Sequence, residues 1–304
     1  MGIIFGPVAS RRFGRSLGID LSPDKKQCNY NCLYCELEPS ATVEKYSDVV
    51  SVNEVVQELE SALERYGEVD VVTITANGEP TLYPHLKELI KRIGEIKGSI
   101  KTLILSNGST IFSKDTREAL MGIDMVKLSL DCASERCFRH LDRPHKSVDL
   151  EKIKKGMLSF ALCYEGTLIV EILIVEGIND KESEIVALND FFMELKPSRI
   201  DIGTIDRPPA YNVKAVSYER LRELSMLFDP TLHVNITTRK ALMDEQKGSY
   251  DKRQIVETIS RRPLSEEDIK TLFDEDAIKR LEALISEGAV KTKDNNGVIF
   301  YVLG

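Results

Sequence analysis

The sequence predicts an α/β fold built on a parallel sheet, with a small domain appended at the C-terminal end. Three observations predict it. Six short apolar, β-branched runs recur through the first two thirds of the chain, and amphipathic stretches of helical period separate them. Beyond a polar segment near residue 250 this alternation gives way to helices and a hairpin. The runs at 16–21, 69–76, 101–106, 125–130, 167–175 and 199–205 are almost continuously apolar, as parallel strands covered on both faces are. Six β/α units in series fit either an open doubly wound sheet or an incomplete barrel, and periodicity does not choose between them.

The elements follow in order. Asn53 is placed to cap the first helix, in which Val55, Val56, Leu59, Leu63 and Tyr66 recur on one face and which Gly67 ends. Asp149 opens a later helix with Ile153, Met157 and Phe160 inward. The next carries Ile185, Leu188, Phe192 and Leu195 and stops at Pro197. Residues 244–254 read as a linker. Helices are then predicted at 255–261, 265–272 and 276–287, with Ser265 and Asp268 as a capping-box pair. Strands at 290–293 and 298–303 flank Asn296-Gly297, a hairpin signal. Three helices and a β-wing resemble a winged helix-turn-helix, which divides the chain into a core of residues 1–243, the linker, and a winged-helix-like domain of residues 255–304. Residues 251–304 hold nine Lys or Arg against eleven Asp or Glu. A recognition helix so evenly charged speaks against reading DNA.

Composition narrows the classes. The chain is 42% hydrophobic and 30% charged with a net charge of −8, which excludes wholesale coating of nucleic acid but leaves room for a local basic patch. No apolar run is long enough to span a membrane, and the first residues lack a signal-peptide pattern, so a cytoplasmic protein is expected. In a reducing compartment six cysteines argue for metal binding or chemistry, not disulfides.

Three of those cysteines, Cys28, Cys32 and Cys35, lie in CNYNCLYC just past the first predicted strand, where parallel α/β folds place their sites. An iron–sulfur cubane takes four ligands, so three thiolates leave one iron open. A structural zinc site is the rival, but it wants a fourth thiolate or imidazole and paired knuckles. Cys132, Cys137, Cys163 and the histidines offer no such spacing; Cys132 and Cys137 read as buried, inert thiols.

With Tyr34 before the last cysteine, this spacing resembles the signature of the radical S-adenosylmethionine superfamily. The longer stretch GPVASRRFGRSLGIDLSPDKKQCNYNCLYC is similar to a branch of iron–sulfur proteins near the wybutosine-synthesis enzymes. The resemblance covers residues 1–240 and implies a partial (β/α)6 barrel, a [4Fe–4S] cluster and S-adenosylmethionine. Asn77-Gly78-Glu79-Pro80-Thr81 is similar to the family's Gly-Gly-Glu-Pro motif, with Asn77 in place of the first glycine. There the backbone and Glu79 are expected to meet the α-amino group of the cofactor. Ser106 and Asn107 end the third strand, and Ser129 and Asp131 the fourth. They resemble residues that contact the methionine carboxylate and ribose hydroxyls. Glu171, inside the apolar fifth strand, needs a partner, either a ribose hydroxyl or a buried Arg or Lys. Asn179 is expected at the barrel mouth. Arg11, Arg12 and Arg15, with Arg207 in Asp206-Arg207-Pro208-Pro209, are expected there too. They would anchor an anionic substrate or the cofactor carboxylate unless they form surface salt bridges.

The resemblance implies an enzyme that cleaves S-adenosylmethionine with an electron from an external donor of flavodoxin or ferredoxin type. The substrate is open: an RNA base, a peptide or protein, or a partner enzyme to be activated. A metal-sensing regulator using the winged helix is the alternative of another class. It needs no cofactor-binding strand ends, which this chain has in order.

Overall fold

The computed structural model describes residues 2–10, 13–237, 249–261, 263–295 and 298–304. One sheet runs through the larger part: β1 (Ile4–Ser10), β2 (Gly14–Asp20), β3 (Val71–Thr75), β4 (Lys101–Ser106), β5 (Met125–Ser129), β6 (Thr167–Ile174), β7 (Arg199–Thr204) and β8 (Val234–Ile236). The strands neighbour one another in chain order. β1 is antiparallel to β2, and every later pair is parallel. Strand order never reverses, so there is no switch point of the doubly wound kind, and β1 and β8 are its two unjoined edges. This is the incomplete barrel. Its six predicted strands are β2–β7; the edge strands β1 and β8 escaped prediction, one broken by Gly6-Pro7 and the other three residues long.

Helices α1 (Val52–Tyr66), α2 (Leu86–Ile96), α3 (Lys114–Leu120), α4 (Glu135–Leu141), α5 (Leu150–Ala161), α6 (Glu182–Leu195) and α7 (Tyr218–Ser225) link the strands. The helix-facing residues Leu17, Ile19, Ile74, Val126, Val170 and Ile202 join the main apolar core. Alternate residues point the other way, and that interior face is partly polar. Ser16 Oγ meets Thr73 Oγ1 at 2.7 Å, and Lys127 pairs with Glu171 at 2.6 Å. One cap differs from expectation: Ser51, not Asn53, accepts the Glu54 amide and starts α1. Ser51 still has extended backbone, which the Ncap position requires. Asp149 caps α5 as predicted.

The C-terminal part comprises α8 (Lys252–Arg261), β9 (Leu264–Ser265), α9 (Glu266–Leu272), α10 (Glu275–Ser286), β10 (Val290–Asn295) and β11 (Val298–Leu303). Its three strands form a separate antiparallel sheet over an apolar cluster that includes Ile255, Phe273, Leu281 and Phe300. The Ser265–Asp268 capping box is present. Tyr250 donates to the Pro7 carbonyl at 3.1 Å, fastening this part to β1. Arg11, Arg12, residues 244–248 of the expected linker and the Asn296-Gly297 turn lie outside the described residues.

Cys132 and Cys137 are joined as a disulfide, which corrects the expectation of two separate inert thiols. The turn from β5 into α4 brings their Cα atoms 5.6 Å apart, within reach of a bridge. Cys163 is a free, exposed thiol.

Candidate active site

The loop after β2 and the turn after β3 form a single structure. Asp20, at the end of β2, accepts the amides of Ser22 at 2.9 Å and Asn77 at 2.8 Å. Gln27 then bridges to Gly78: its amide donates to the Asn77 carbonyl at 2.9 Å, and its carbonyl accepts the Glu79 amide at 3.0 Å. Gly78 has φ 138°, and a Cβ there would lie 2.0 Å from the Gln27 oxygen. Only glycine fits. The buried Gln27 side chain completes the join by donating to Ser22 Oγ and the Asp48 carbonyl, both at 2.8 Å.

The three cysteines that follow are free and half-buried. The Tyr30 amide points at Cys28 Sγ from 3.4 Å, and Asn107 Nδ2 from 3.7 Å. Lys26 Nζ lies 3.4 Å from Cys35 Sγ, and Cys32 Sγ donates to Asp142 Oδ1 at 3.4 Å. Burial, reinforced by the Glu79 charge, pushes the Cys28 thiol up to about 12; burial and then Asp142 push Cys32 well up. Without metal Cys28 and Cys32 therefore hold their protons, and binding iron would release them. Among the described residues no three His, Cys, Asp or Glu side chains converge on one ion. A zinc site requires such convergence, whereas a cubane's ligands bind separate irons. Free thiols on one loop, with N–H donors aimed at two of the sulfurs, fit the cubane.

At the other strand ends the polar residues divide into two groups. Glu79 is 1% exposed. Its carboxylate accepts the Thr81 amide and hydroxyl, Ser106 Oγ and the Asn107 amide, at 2.6–2.9 Å. Burial raises its pKa, and these bonds oppose the rise. The carboxylate expected to face an ammonium is instead a buried strap between β3 and β4, and Ser106 is its partner. Asp131, 3% exposed, accepts Tyr34 Oη at 2.5 Å and the Leu173 amide at 2.7 Å; burial carries it up to about 6. Asn179 is fully buried, accepting the Val175 amide and donating to the Asp131 and Leu173 carbonyls. It joins β5 to β6 and does not line the mouth. Asn107, Ser129, Tyr34 and Asp131 line one pocket, together with Tyr30 and Asp142. Pro80 starts the short 3₁₀ turn Pro80–Leu82, where its missing N–H costs nothing.

At Glu171 and Arg207 the structure selects one of the stated alternatives, and Arg15 it moves. Glu171 finds Lys127, a buried lysine on the neighbouring strand, so its partner is a protein cation. Arg15 stands at the start of β2 with its amide on Asp70. That is the foot of the parallel sheet, opposite the cysteine loop, because the hairpin from β1 enters there. Arg207 does lie beside the loop, but its guanidinium pairs with Glu36 at 3.4 Å, with Asp206 and Asp268 adding negative charge nearby.

Sequence reasoning missed the two segments that hold the loop from its far side. Leu141 and Asp142 carbonyls accept the Leu33 and Asn31 amides, and the His145 amide donates to the Asn29 carbonyl. The Ala210 amide donates to the Cys35 carbonyl, and Tyr211 Oη to Asn31 Oδ1 at 3.0 Å. Backbone contacts of this kind leave no residue-type signal. Asp142 alone, a carboxyl beside Cys32, had an identity worth noticing.

A family model described as the Radical SAM superfamily matches residues 25–188. A UPF0026 protein of Helicobacter pylori strain J99 is 41% identical over 300 residues, 98% of this chain and 97% of its own length. A UPF0026 protein of Methanocaldococcus jannaschii is 29% identical over 99% of this chain and 96% of its own. Among solved structures, Streptococcus suis SuiB bound to precursor peptide SuiA superposes with a TM-score of 0.57 at 19% identity, over 73% of this chain and 48% of that one. A radical SAM methyltransferase from Sphaerobacter thermophilus gives 0.56 at 12% identity, over 73% and 66%. At such identities the superpositions show the shared fold alone. The chain belongs to the radical SAM superfamily and is an enzyme of that class, with a [4Fe–4S] cluster and S-adenosylmethionine as its cofactors.

Proposed function

We propose that this chain cleaves S-adenosylmethionine reductively and uses the product radical to abstract hydrogen from a substrate held where the strand ends gather. The Gln27–Gly78 bridge carries the reading, because it fixes the three-thiol loop against the motif that resembles the methionine-binding turn. When bound, the two cofactors supply the chemistry: one electron delivered to the sulfonium yields methionine and a 5′-deoxyadenosyl radical. The chain's own residues bind and orient. Cys28, Cys32 and Cys35 hold the cluster. The second lone pair of the Asn77 carbonyl, the backbone of Gly78 and the side chains of Asn107 and Ser129 offer neutral donors and acceptors to the methionine and ribose groups. Glu79, Ser106 and Asp131 fix the strand ends that present them.

An external one-electron donor of flavodoxin or ferredoxin type, acting in a reducing cytoplasm, completes the reading. For the substrate, Arg207 is already held by Glu36 among further acids. Together with the net charge of −8, this favours a peptide or protein over an RNA, whose phosphates need cations. Our division into a core of residues 1–243 and a winged-helix-like domain of residues 255–304 belongs to the same proposal.

The test is anaerobic reconstitution with iron and sulfide, followed by dithionite and S-adenosylmethionine, with 5′-deoxyadenosine and methionine read by mass spectrometry. Wild type should form both, and Cys32→Ala neither. A reconstituted wild type that forms no 5′-deoxyadenosine refutes the proposal. Removal of residues 251–304 should leave this uncoupled cleavage in place; a regulator would lose its output.

A further inference from the structure

Lys26 carries no assigned role in the stretch that leads into the cysteine loop, yet it is held more firmly than a surface lysine has reason to be. Its neighbour Gln27 is locked by the bridge to Gly78, which fixes the origin of the side chain. At the other end, Nζ lies 3.0 Å from the Glu38 carbonyl, 3.3 Å from the Leu37 carbonyl and 3.4 Å from Cys35 Sγ. An ammonium has three protons. Two are directed to carbonyls just beyond the cysteine loop, and the third is aimed at the sulfur.

We propose that Lys26 is a fixed cationic donor to the Cys35 thiolate that raises the reduction potential of the bound cluster. The proposal rests on the cluster-binding role given to Cys28, Cys32 and Cys35 above. Reducing a [4Fe–4S] cluster adds one negative charge, and hydrogen bonds to the sulfurs together with nearby charge set its potential. A cation held against a ligating sulfur stabilises the reduced form more than the oxidised form. The other contacts on these sulfurs are of a different kind: a backbone amide and the neutral Asn107 amide at Cys28, and a carboxyl at Cys32. Reductive cleavage of a sulfonium needs a cluster that a cellular one-electron donor can reduce. Lys26 would bring this cluster within that donor's range.

The experiment is an anaerobic redox titration of the reconstituted full-length protein without S-adenosylmethionine, following the reduced cluster by electron paramagnetic resonance. Iron and sulfide are assayed on the same samples. Lys26→Met keeps the stem and removes the charge; Lys26→Arg keeps the charge. Expected is wild-type iron and sulfide in both variants. At a fixed solution potential the ratio of reduced to oxidised cluster should fall about tenfold in K26M, equivalent to about 59 mV for one electron, and return towards wild type in K26R. An unchanged ratio in K26M overturns the proposal. So does loss of the cluster from K26M, which would make Lys26 a strut of the loop. A wild type that takes up no iron and sulfide refutes the underlying reading instead, so the two failures are distinguishable.

Discussion

Gly78→Ala tests whether the cysteine loop and the strand-end motif are one unit. An alanine Cβ would sit 2.0 Å from the Gln27 oxygen, 2.4 Å from its carbonyl carbon and 2.9 Å from its nitrogen. A carbon and an oxygen in contact stay about 3.3 Å apart, so the loops must part by more than an ångström. All three obstacles are backbone, and no side chain can swing away. Parting breaks the two hydrogen bonds of the bridge, each worth about 1 kcal/mol. Holding a non-glycine residue at φ 138° adds of order 1–3 kcal/mol. The total is about 3–5 kcal/mol. In urea, with a slope of about 3 kcal/mol per molar, the midpoint of the apo protein should fall by about 1–1.7 M. Iron retained after reconstitution should fall as well. Gly177→Ala is the internal control: Gly177 has φ 74° with open space around it, so its alanine costs only about 1 kcal/mol. If G78A unfolds at the same urea concentration as G177A and keeps its iron, the bridge does not exist as described.

Lys127→Met should destabilise the apo protein by about 3 kcal/mol in urea denaturation, since it breaks the Lys127–Glu171 pair on the inner face of the sheet. The double variant K127M/E171L should recover most of that loss, and a double variant as unstable as K127M counts against the pairing. Asp124 is pushed up by burial, but the Thr102 and Lys97 donors outweigh this and hold it at about 2. Its stabilisation is therefore complete above the unfolded value near 4 and is lost as pH falls towards about 2. Asp124→Asn should cost about 1 kcal/mol at pH 7 after screening, and a pH series of melting temperatures should show the two proteins converging near pH 2. Removing the cluster should leave the loop ordered, because residues 27–35 are bonded to protein on all sides. Limited proteolysis of the metal-free protein that cuts within residues 27–35 before any other site would contradict this.

Most of the fold was legible because the strands of a covered parallel sheet are apolar runs and the helices between them keep a clear period. The elements that escaped are those that need no such pattern. β8 is three residues paired on one side, and β1 is an edge strand broken at Gly6-Pro7. At the site the cysteines were legible from spacing alone, and Gly78 from its place in the motif. The orientations of the carboxylates were not. Sequence shows Glu79 at a strand end but not that Thr81, Ser106 and Asn107 surround it. Arg15 was misplaced because an arginine cluster ahead of the first predicted strand gives no sign of the hairpin that carries it to the foot of the sheet. The Cys132–Cys137 bond was missed because compartment was used to exclude disulfides, while the local turn brings the pair together.

The strand-end carboxylates share one task that no single position reveals. Asp20 at the end of β2 accepts the amide of Asn77 after β3; Glu79 after β3 accepts that of Asn107 after β4. Asp131 after β5 accepts that of Leu173 on β6, and Asn179 after β6 returns to the Asp131 carbonyl. In each case a side-chain oxygen or amide takes over where the parallel ladder ends and backbone partners diverge. An open barrel needs such fasteners, because β1 and β8 do not close on one another to hold the strand ends together. A buried amide left without an acceptor costs about 1–3 kcal/mol, so these residue types are required whether or not a cofactor is bound. The consequence for binding is specific. Asp20, Glu79, Asp131 and Asn179 are all under 5% exposed. What the chain presents at the strand ends is therefore backbone, amide and hydroxyl groups held rigid by carboxylates behind them. A zwitterionic, hydroxyl-rich cofactor can be bound by such groups without displacing these carboxylates from their amide partners.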